Sequence, residues 1–382
     1  MAPPYGVLLV TGGNTHQENY GLSLAEDPRC RVVGVTDEAD VSPRRAALNR
    51  RLAEEMHVPY MPDLAEALRR DDVAICSICT EHDRQGRVSI ACAAAGKHVY
   101  LDKPLAGSLA EADRLVDVVR VRGVQSQMFT QIGFPYAQRA RAVVESGRLG
   151  ELRAIHCDLM FAKGWASDAV PRRPRKETEQ PSSFLVPDAK RELFNIAVYS
   201  LTLIRWLTGR EIVSVYATTS NYFFEENLRR DFEDFGMMAL TLETGITATI
   251  TAGRIGWMSH PGAGPNVIHL QGERGSMRLD SYRPRLEIQS DGPEWRRPVR
   301  DPEDPMGFWR SSQVRAGIQP RPEWAVPGFL PARPDASLFV DCVERGKPAE
   351  VTAFDGAKAV EALFAGYRSA ATGEVVRLPL PR

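Results

Sequence analysis

The sequence predicts an α/β protein with two parts: a doubly wound parallel sheet, followed by an α+β region with a large, mainly antiparallel open sheet. The chain has 382 residues, enough for two domains. Through the first 130 residues, short apolar runs alternate with amphipathic stretches, a pattern typical of parallel strands joined by helices. The later apolar runs are longer and follow one another across turns, which favours antiparallel pairing. We therefore place the domains at 1–130 and 131–382.

Five runs in the first domain have the composition of buried strands, and four intervening stretches have helical spacing. The predicted strands are Gly6–Val10, Val32–Thr36, Val73–Cys79, His98–Leu101 and Val124–Phe129. The predicted helices are Pro43–Met56, Leu64–Arg69, Arg84–Ala95 and Leu109–Arg120. Ser108 and Glu111 form a capping box that begins the last helix, and Gly96 ends the one before it.

The second domain is predicted to contain six strands and three helices. The strands are Leu152–Phe161, Ile212–Asn221, Gly236–Leu242, Ile246–Gly253, Asn266–Gln271 and Ser276–Leu279. One helix, Ile196–Leu207, interrupts them; two more, Ala336–Arg345 and Asp355–Thr372, close the chain and are expected to pack back near the first domain. The segments Gly164–Arg191 and Asp291–Pro334 lack periodicity, and each is a surface arm, a lid over the substrate or an arm that grips another subunit.

Composition excludes several classes of partner. The 48 basic and 49 acidic residues give a net charge of −1, which provides no general field to attract nucleic acid or an anionic membrane. No apolar stretch is long enough to span a bilayer, and six cysteines without a dense framework fit a reduced, cytoplasmic protein. Cys76 and Cys79 have CxxC spacing, but residues three apart on a strand face opposite sides. We therefore expect no metal site at these cysteines or elsewhere. The balanced charge leaves a small molecule as the expected partner.

The turn after the first strand is the expected phosphate-binding loop of an open parallel sheet. It contains Gly12, Gly13, Asn14, Thr15 and His16, and matches the pattern GxGxxG poorly. Asp37 ends the second strand, where a carboxylate accepts hydrogen bonds from an adenosine ribose diol and repels a 2′-phosphate. This placement favours NAD over NADP, although an Asp at this position also serves as a turn cap.

The most informative stretch is 94–105, which reads Ala-Ala-Gly-Lys-His-Val-Tyr-Leu-Asp-Lys-Pro-Leu. It resembles the signature of the glucose–fructose oxidoreductase, inositol dehydrogenase and rhizopine-catabolism (Gfo/Idh/MocA) family, in which the usual Glu is here Asp102 and the signature lysine is Lys103. Similar segments occur at 78–80, 339–348, 355–361 and 367–373. The resemblance implies a Rossmann domain that binds NAD, with Cys79, Thr80, His82, Asp102 and Lys103 near the cofactor. His82, like His16, is alternatively an ordinary loop histidine.

The second family signature falls on the predicted helix of the second domain. It reads Asn195-Ile-Ala-Val-Tyr199, and residues four apart share one helix face. Tyr199 resembles the family branch with a tyrosine acid/base, whereas Asn195 replaces an aspartate and can only orient a hydroxyl. An isolated tyrosine has a pKa of ~10, and a nearby ammonium lowers it, so Lys103 and Tyr199 form a plausible catalytic pair. A buried helix tyrosine and a surface lysine are the plainer alternatives.

These observations lead to three hypotheses of different kinds. The first is an NAD(P)-dependent oxidoreductase that transfers a hydride between nicotinamide and a secondary alcohol of a sugar, cyclitol or related polyhydroxylated molecule. The second is an enzyme that oxidises its substrate only transiently, during glycoside cleavage or epimerisation. The third is a non-catalytic dinucleotide-binding protein, suggested by the poor glycine loop, Asp102, Asn195 and Gln85, the last of which stands where relatives often carry His. A homodimer or homotetramer is expected, because the open sheet must be covered.

Overall fold

The first sheet is parallel, and its strand order reverses beside the first strand. The structure, a computed structural model, describes residues 4–11, 16–163, 191–222, 233–256, 266–280, 285–290 and 335–382. The first domain contains β1 (Tyr5–Thr11), α1 (His16–Ala25), β2 (Cys30–Thr36), α2 (Pro43–Glu55), β3 (Tyr60–Met61), α3 (Leu64–Leu68), β4 (Ile75–Cys79), α4 (His82–Ala94), β5 (His98–Leu101), α5 (Leu109–Arg122) and β6 (Ser126–Met128). The strand order β3-β2-β1-β4-β5-β6 places the topological switch between β1 and β4. Ligands bind at such a switch, at the carboxyl ends of the strands.

The second sheet has eight strands and is antiparallel except for one central pair. Its region contains α6 (Pro135–Glu145), β7 (Leu152–Lys163), α7 (Glu192–Thr208), β8 (Ile212–Ser220), β9 (Phe235–Leu242), β10 (Thr247–Gly256), β11 (Asn266–Gly272), β12 (Gly275–Asp280), β13 (Arg285–Ser290), α8 (Asp335–Arg345), α9 (Ala353–Thr372) and β14 (Val376–Arg377). The order is β13-β12-β11-β7-β10-β9-β8-β14, and only β7 and β10 run parallel. The predicted fold class is therefore confirmed.

Five elements were not predicted, four of them for a physical reason. The strands β3 and β14 have only two residues each, too few to show a period. The helix α1 and the strand β13 carry many polar residues, so their apolar pattern is weak. The helix α6 has buried apolar residues at helical spacing, Tyr136, Ala140 and Val143, and could have been predicted from them. The predicted helix boundaries are confirmed where caps set them: Ser108 Oγ accepts a hydrogen bond from Glu111 N at 3.2 Å, and Gly96 has a φ of 78°.

The C-terminal helices contact the first domain. Phe339 of α8 packs against Tyr100 of β5, with ring centroids 5.6 Å apart, in a core shared with β1 and β4. At the start of α9, Gly356 lies against Met128 and Leu105. These contacts join the helices that close the chain to the parallel sheet; the boundary after residue 130 stays a prediction.

Candidate active site

Lys103 lies in the turn after β5, and its side chain crosses to α7 of the second domain. It is 4% exposed. Its Nζ donates hydrogen bonds to the backbone oxygen of Asn195 at 2.9 Å and to Oδ1 of the same residue at 2.6 Å. Nζ also lies 5.0 Å from the centre of the Tyr199 ring, within cation–π range. The structure thus brings together the three residues for which the sequence predicts a catalytic role.

Asp102, directly before Lys103, is held from two neighbouring elements. Tyr20 Oη, on α1, donates a hydrogen bond to Asp102 Oδ1 at 2.7 Å, and Cys79 Sγ donates one to Oδ2 at 3.2 Å. The backbone N of Asp102 donates to Ile78 O at 2.8 Å and extends the pairing of β5 with β4. These bonds fix the turn from which Lys103 leaves the sheet.

Gln85 ties the ends of β4 and β5 together. Its Nε2 donates hydrogen bonds to Ile78 O at 3.3 Å and to Asp102 O at 3.1 Å. Its Oε1 accepts hydrogen bonds from the backbone N of Thr80 at 3.0 Å and from Oγ1 of that residue at 2.9 Å. Gln85 and Thr80 therefore stabilise the backbone that carries Lys103.

Cys76 and Cys79 face opposite sides of β4, as the strand period predicts. Cys76 packs with Cys92 in one hydrophobic core, and Cys79 packs with Tyr100 in the other. Burial raises the pKa of the Cys79 thiol, and the neighbouring Asp102 carboxylate raises it further. Within the described part of the chain, no group of three or more His, Cys, Asp or Glu residues could hold a metal ion.

The helix that carries Asn195 and Tyr199 begins four residues before its predicted start. Asn195 N donates a hydrogen bond to Arg191 O at 3.1 Å, which closes the first turn. This turn packs on β9 where Gly236 leaves room: a Cβ there would lie 2.8 Å from the Leu193 side chain. A glycine in the strand therefore allows the close approach that places Asn195 beside Lys103.

Two side chains from other elements cap the first turn of α7. Glu233 Oε1 accepts a hydrogen bond from Leu193 N at 3.1 Å, and Tyr367 Oη accepts one from Phe194 N at 2.9 Å. Tyr367 Oη in turn donates to Glu233, which also pairs with Arg191 at 3.0 Å. Burial raises the pKa of the Glu233 carboxyl. Because the first amides of a helix have no partner inside it, these bonds fix where the helix begins.

Tyr199 borders a group of aromatic rings from the first domain. Its ring meets that of Phe129 edge to face, with centroids 6.3 Å apart. The Phe129 ring lies 5.2 Å from that of Tyr20, which lies 5.3 Å from Tyr100. Such edge contacts hold rings in one orientation. The phenol of Tyr199 is therefore held beside Lys103 by packing.

The charge on Lys103 is weakly stabilised. Burial lowers its pKa to about 8, which the Asp102 carboxylate opposes and the Arg254 guanidinium reinforces. Glu192 Oε2 accepts a hydrogen bond from Arg254 Nε at 2.8 Å and one from Asn195 Nδ2 at 3.4 Å. The Asn195 amide is thereby oriented with its nitrogen towards Glu192 and its oxygen towards Lys103.

Glu192 and Arg254 are site residues that the sequence reasoning missed. Glu192 lies three residues before Asn195, and that spacing on a helix could have identified it. Arg254 lies just past the predicted end of its strand, and nothing local distinguishes it. Its place beside Lys103 follows from packing β10 against α7.

Asp37 is buried at the end of β2, surrounded by donors. Its Oδ1 accepts a hydrogen bond from Glu38 N at 2.8 Å and pairs with Arg84, while Oδ2 accepts one from Asn49 Nδ2 at 3.0 Å. Asn49 is 1% exposed, yet its Oδ1 has no hydrogen-bond partner among the described residues. Asn49 Oδ1 is thus a buried acceptor, without a partner in the described chain, beside the Asp37 carboxylate, and these two groups could accept hydrogen bonds from the hydroxyls of an adenosine ribose. Arg84 is a further residue that the sequence reasoning missed.

Several predicted positions lie at or beyond the limits of the described chain. Gly12, Gly13, Asn14 and Thr15 fall outside the described residues, as do 164–190 and 291–334. His16 begins α1, and His82 begins α4 with its ring 5.8 Å from that of Phe194 on α7. His82 thus borders the junction between the domains near Lys103.

Gln17 occupies the last position of the glycine-loop pattern. Its Nε2 donates hydrogen bonds to Val10 O at 3.2 Å and to Ser77 O at 2.7 Å, and its Oε1 accepts one from Ser77 Oγ at 2.9 Å. A glycine at this position serves to bring helix and strand close. Here a buried amide joins them instead, so α1 remains tied to β1 and β4.

Two family models match the chain, one for each domain. Residues 6–130 match the oxidoreductase family with an NAD-binding Rossmann fold, and residues 137–278 match the GFO/IDH/MocA C-terminal domain. Together the models cover more than two thirds of the sequence. The chain belongs to the Gfo/Idh/MocA oxidoreductase family. The predicted resemblance is confirmed, as is the expectation of an NAD-binding first domain.

Curated relatives of this chain include inositol dehydrogenases. The chain is 30% identical to inositol 2-dehydrogenase of Pseudomonas fluorescens over 192 residues, 49% of each chain. It is 27% identical to inositol 2-dehydrogenase 2 of Saccharopolyspora erythraea over 256 residues, 65% of each. The matched region thus spans about half and about two thirds, respectively, of the lengths of these relatives.

Two solved structures share the overall fold of this chain at low sequence identity. A levoglucosan dehydrogenase in complex with NADH and L-sorbose has a TM-score of 0.75 at 20% identity and covers 99% of both chains. The alignment with the WlbA dehydrogenase from Bordetella pertussis, in complex with NADH and UDP-GlcNAcA, has a TM-score of 0.74 at 20% identity and covers 100% of this chain and 99% of the WlbA chain.

In the described regions, no helix has both the length and the apolar character needed to cross a membrane.

Proposed function

We propose that this protein is an NAD-dependent oxidoreductase that transfers a hydride between nicotinamide and a secondary alcohol or ketone of a sugar, cyclitol or related polyhydroxylated small molecule. The observation that carries the proposal is the contact of Lys103 with Asn195 and the Tyr199 ring at the carboxyl edge of the NAD-binding sheet. Relatives named as inositol dehydrogenases support the substrate class.

The three residues have distinct roles in the proposed reaction. NAD, when bound, supplies the hydride acceptor. The Tyr199 phenolate takes the hydroxyl proton of the alcohol, and the Lys103 ammonium stabilises the negative charge on the phenolate. Asn195 holds that ammonium with its Oδ1 and its backbone oxygen. In the reverse direction Tyr199 returns the proton to the alkoxide, and Lys103 offsets the developing charge.

The departures from the family pattern at Asp102 and Gln85 are compatible with an enzyme. Asp102 is bonded to Tyr20 and Cys79, and Gln85 joins two strand ends. Each of these residues has a structural partner that accounts for its identity and leaves the Lys103–Tyr199 contact intact. The retained pair of Lys103 and Tyr199, for which a purely structural protein has no evident need, favours a catalytic function.

Net redox turnover separates the proposed reaction from transient oxidation. We expect the purified protein, given NAD and a panel of cyclitols, aldoses and polyols, to form one NADH for each substrate molecule oxidised. The measurement pairs NADH absorbance with chromatography of the products, and the Lys103→Met variant serves as the control. Product formed without net NADH would instead support glycoside cleavage or epimerisation.

We further propose that two copies of the chain associate through the outer face of the eight-stranded sheet. The helices α7 and α9 cover one face, where Ala217 and Met238 lie against Gly366. Tyr216 and Met237 alternate with these residues and face outward, 41% and 48% exposed. Exposed apolar side chains on a broad sheet are typical of a surface that is covered in an assembly.

Light scattering tests this association. We expect the wild-type chain to be a dimer or tetramer, and Met237→Arg to shift it towards monomer by placing a charge on the covered face. Val121→Arg is the matched control, because Val121 is also exposed but lies on α5 of the first domain. A monomeric wild type, or equal dissociation of both variants, would contradict the proposal.

A further inference from the structure

Two arginines lie against the Asp37 carboxylate. Arg84, in the first turn of α4, pairs with Asp37 Oδ1. Arg45, on α2, places Nη1 3.8 Å from Oδ2. The Asp37 side chain is 0% exposed, so solvent does not stabilise its negative charge. That charge is stabilised by the two arginines, by Glu38 N–H and by the Asn49 amide.

Both guanidinium groups also face Glu81: Arg84 Nη1 lies 3.8 Å from Glu81 Oε2, and Arg45 pairs with the same carboxylate. The carboxylate expected to contact the adenosine ribose is therefore already paired with two arginines, whose charge it shares with Glu81.

The pairing of Asp37 with Arg84 changes which dinucleotide the site selects. A free carboxylate at the end of β2 favours NAD, because it accepts the ribose diol and repels a 2′-phosphate. Arg84 weakens both effects: it competes with the diol for Asp37 Oδ1 and reduces the repulsion. A guanidinium also binds phosphate oxygens through two parallel hydrogen bonds.

We propose that Arg84 is a cofactor-selectivity residue through which this site accepts NADP as well as NAD, by contact of its guanidinium with the 2′-phosphate. Arg84 is poised for this contact. Its Nε lies 3.1 Å from Glu38 Oε2 but has no aligned hydrogen-bond acceptor in the described part of the chain. The unpaired Oδ1 of buried Asn49 lies in the same cluster and offers an acceptor to a ribose hydroxyl. The proposal concerns dinucleotide binding alone and does not depend on the substrate.

Arg87 provides a matched control within the same cluster. It pairs with both oxygens of Glu38 at 2.9 Å on the solvent side, and its side chain is 51% exposed. Arg87→Gln therefore removes the same charge, one helical turn from Arg84, without removing a contact to Asp37.

The experiment is titration of the purified full-length chain with NADH and with NADPH at one ionic strength, followed by fluorescence or calorimetry. We expect the wild-type chain to bind the two within about tenfold of one another, and Arg84→Gln to weaken NADPH relative to NADH by a further factor of about ten, the scale of one charge-assisted contact. Arg87→Gln should leave the ratio unchanged. Asp37→Asn should raise the affinity for NADPH relative to that for NADH, which would show that the titration reports on the site at Asp37.

Several results would overturn the proposal. A wild type that binds NADPH more than about a hundredfold more weakly than NADH, or binds neither dinucleotide, contradicts acceptance of NADP. An unchanged ratio in Arg84→Gln, or an equal change in Arg87→Gln, removes the selective role of Arg84. Thermal melting and circular dichroism establish that each variant is folded. Arg84→Lys, which keeps the charge without the planar fork, should give an intermediate ratio.

Discussion

Replacing Lys103 by methionine, or Tyr199 by phenylalanine, is expected to reduce kcat by at least about 10²-fold, the usual contribution of an acid–base group. Methionine retains much of the apolar stem of Lys103 but removes the cation that lies 5.0 Å from the Tyr199 ring. Phenylalanine retains the edge contact with Phe129 but removes the hydroxyl that carries the proton. Steady-state rates of NADH formation measure both effects.

The two losses should not add. Because the ammonium acts by stabilising the phenolate, a chain that lacks the Tyr199 hydroxyl has little further activity to lose when Lys103 is replaced. The double variant should therefore be nearly as active as the poorer single variant. Fully multiplicative losses would indicate that the two residues act independently, and a wild-type rate in either single variant would remove that residue from the mechanism.

Lys97→Met is the matched control for the lysine. Lys97 stands directly before β5, at the opposite end of this strand from Lys103, and its Nζ donates hydrogen bonds to Arg70 O and Val73 O at 3.0 and 2.8 Å. Its replacement should lower the melting temperature without a 10²-fold loss of kcat. NADH titration should show that both site variants still bind the cofactor, which separates a chemical defect from an empty site.

The parts of this site that could be predicted from sequence are those set by local chemistry. Lys103 follows a buried strand and lies in a family signature, so its place at the sheet edge follows from residues within a few positions of it. Asn195 and Tyr199 share a face because of helix geometry alone. Their contacts with Lys103 join residues nearly a hundred positions apart and depend on how the domains pack.

Side chains with long-range partners were the ones that sequence reasoning missed or described incompletely. Asp37 was correctly placed at a strand end, but the approach of Arg84 from α4 depends on the order of strands in the sheet. The caps of α7 come from Glu233 and Tyr367, far along the chain from Leu193. A local cap such as Ser108 is visible in sequence, whereas a cap supplied from another element is not.

Replacing Asn195 by aspartate is expected to move the alkaline limit of kcat upward by at least about one pH unit, because an opposite charge close to an amine typically raises its pKa by ~1–3. In the wild-type protein, burial lowers the pKa of Lys103 to about 8. The ammonium is therefore present below pH 8 and lost above it, and with it the charge that stabilises the Tyr199 phenolate. An Asp carboxylate in place of Asn195 Oδ1, 2.6 Å from Nζ, would keep that proton to higher pH.

Asn195→Ala separates charge from the loss of a hydrogen bond. It removes the side-chain hydrogen bond to Lys103 Nζ and adds no carboxylate, so its alkaline limit should not rise. The added charge also faces Glu192, which now accepts a 3.4 Å hydrogen bond from Asn195 Nδ2, and that repulsion is offset by the pairing of Glu192 with Arg254. The measurement is kcat against pH for the alcohol-oxidising reaction in all three proteins. An unmoved limit in Asn195→Asp, or an equal rise in Asn195→Ala, would show that the alkaline limit does not report the charge on Lys103.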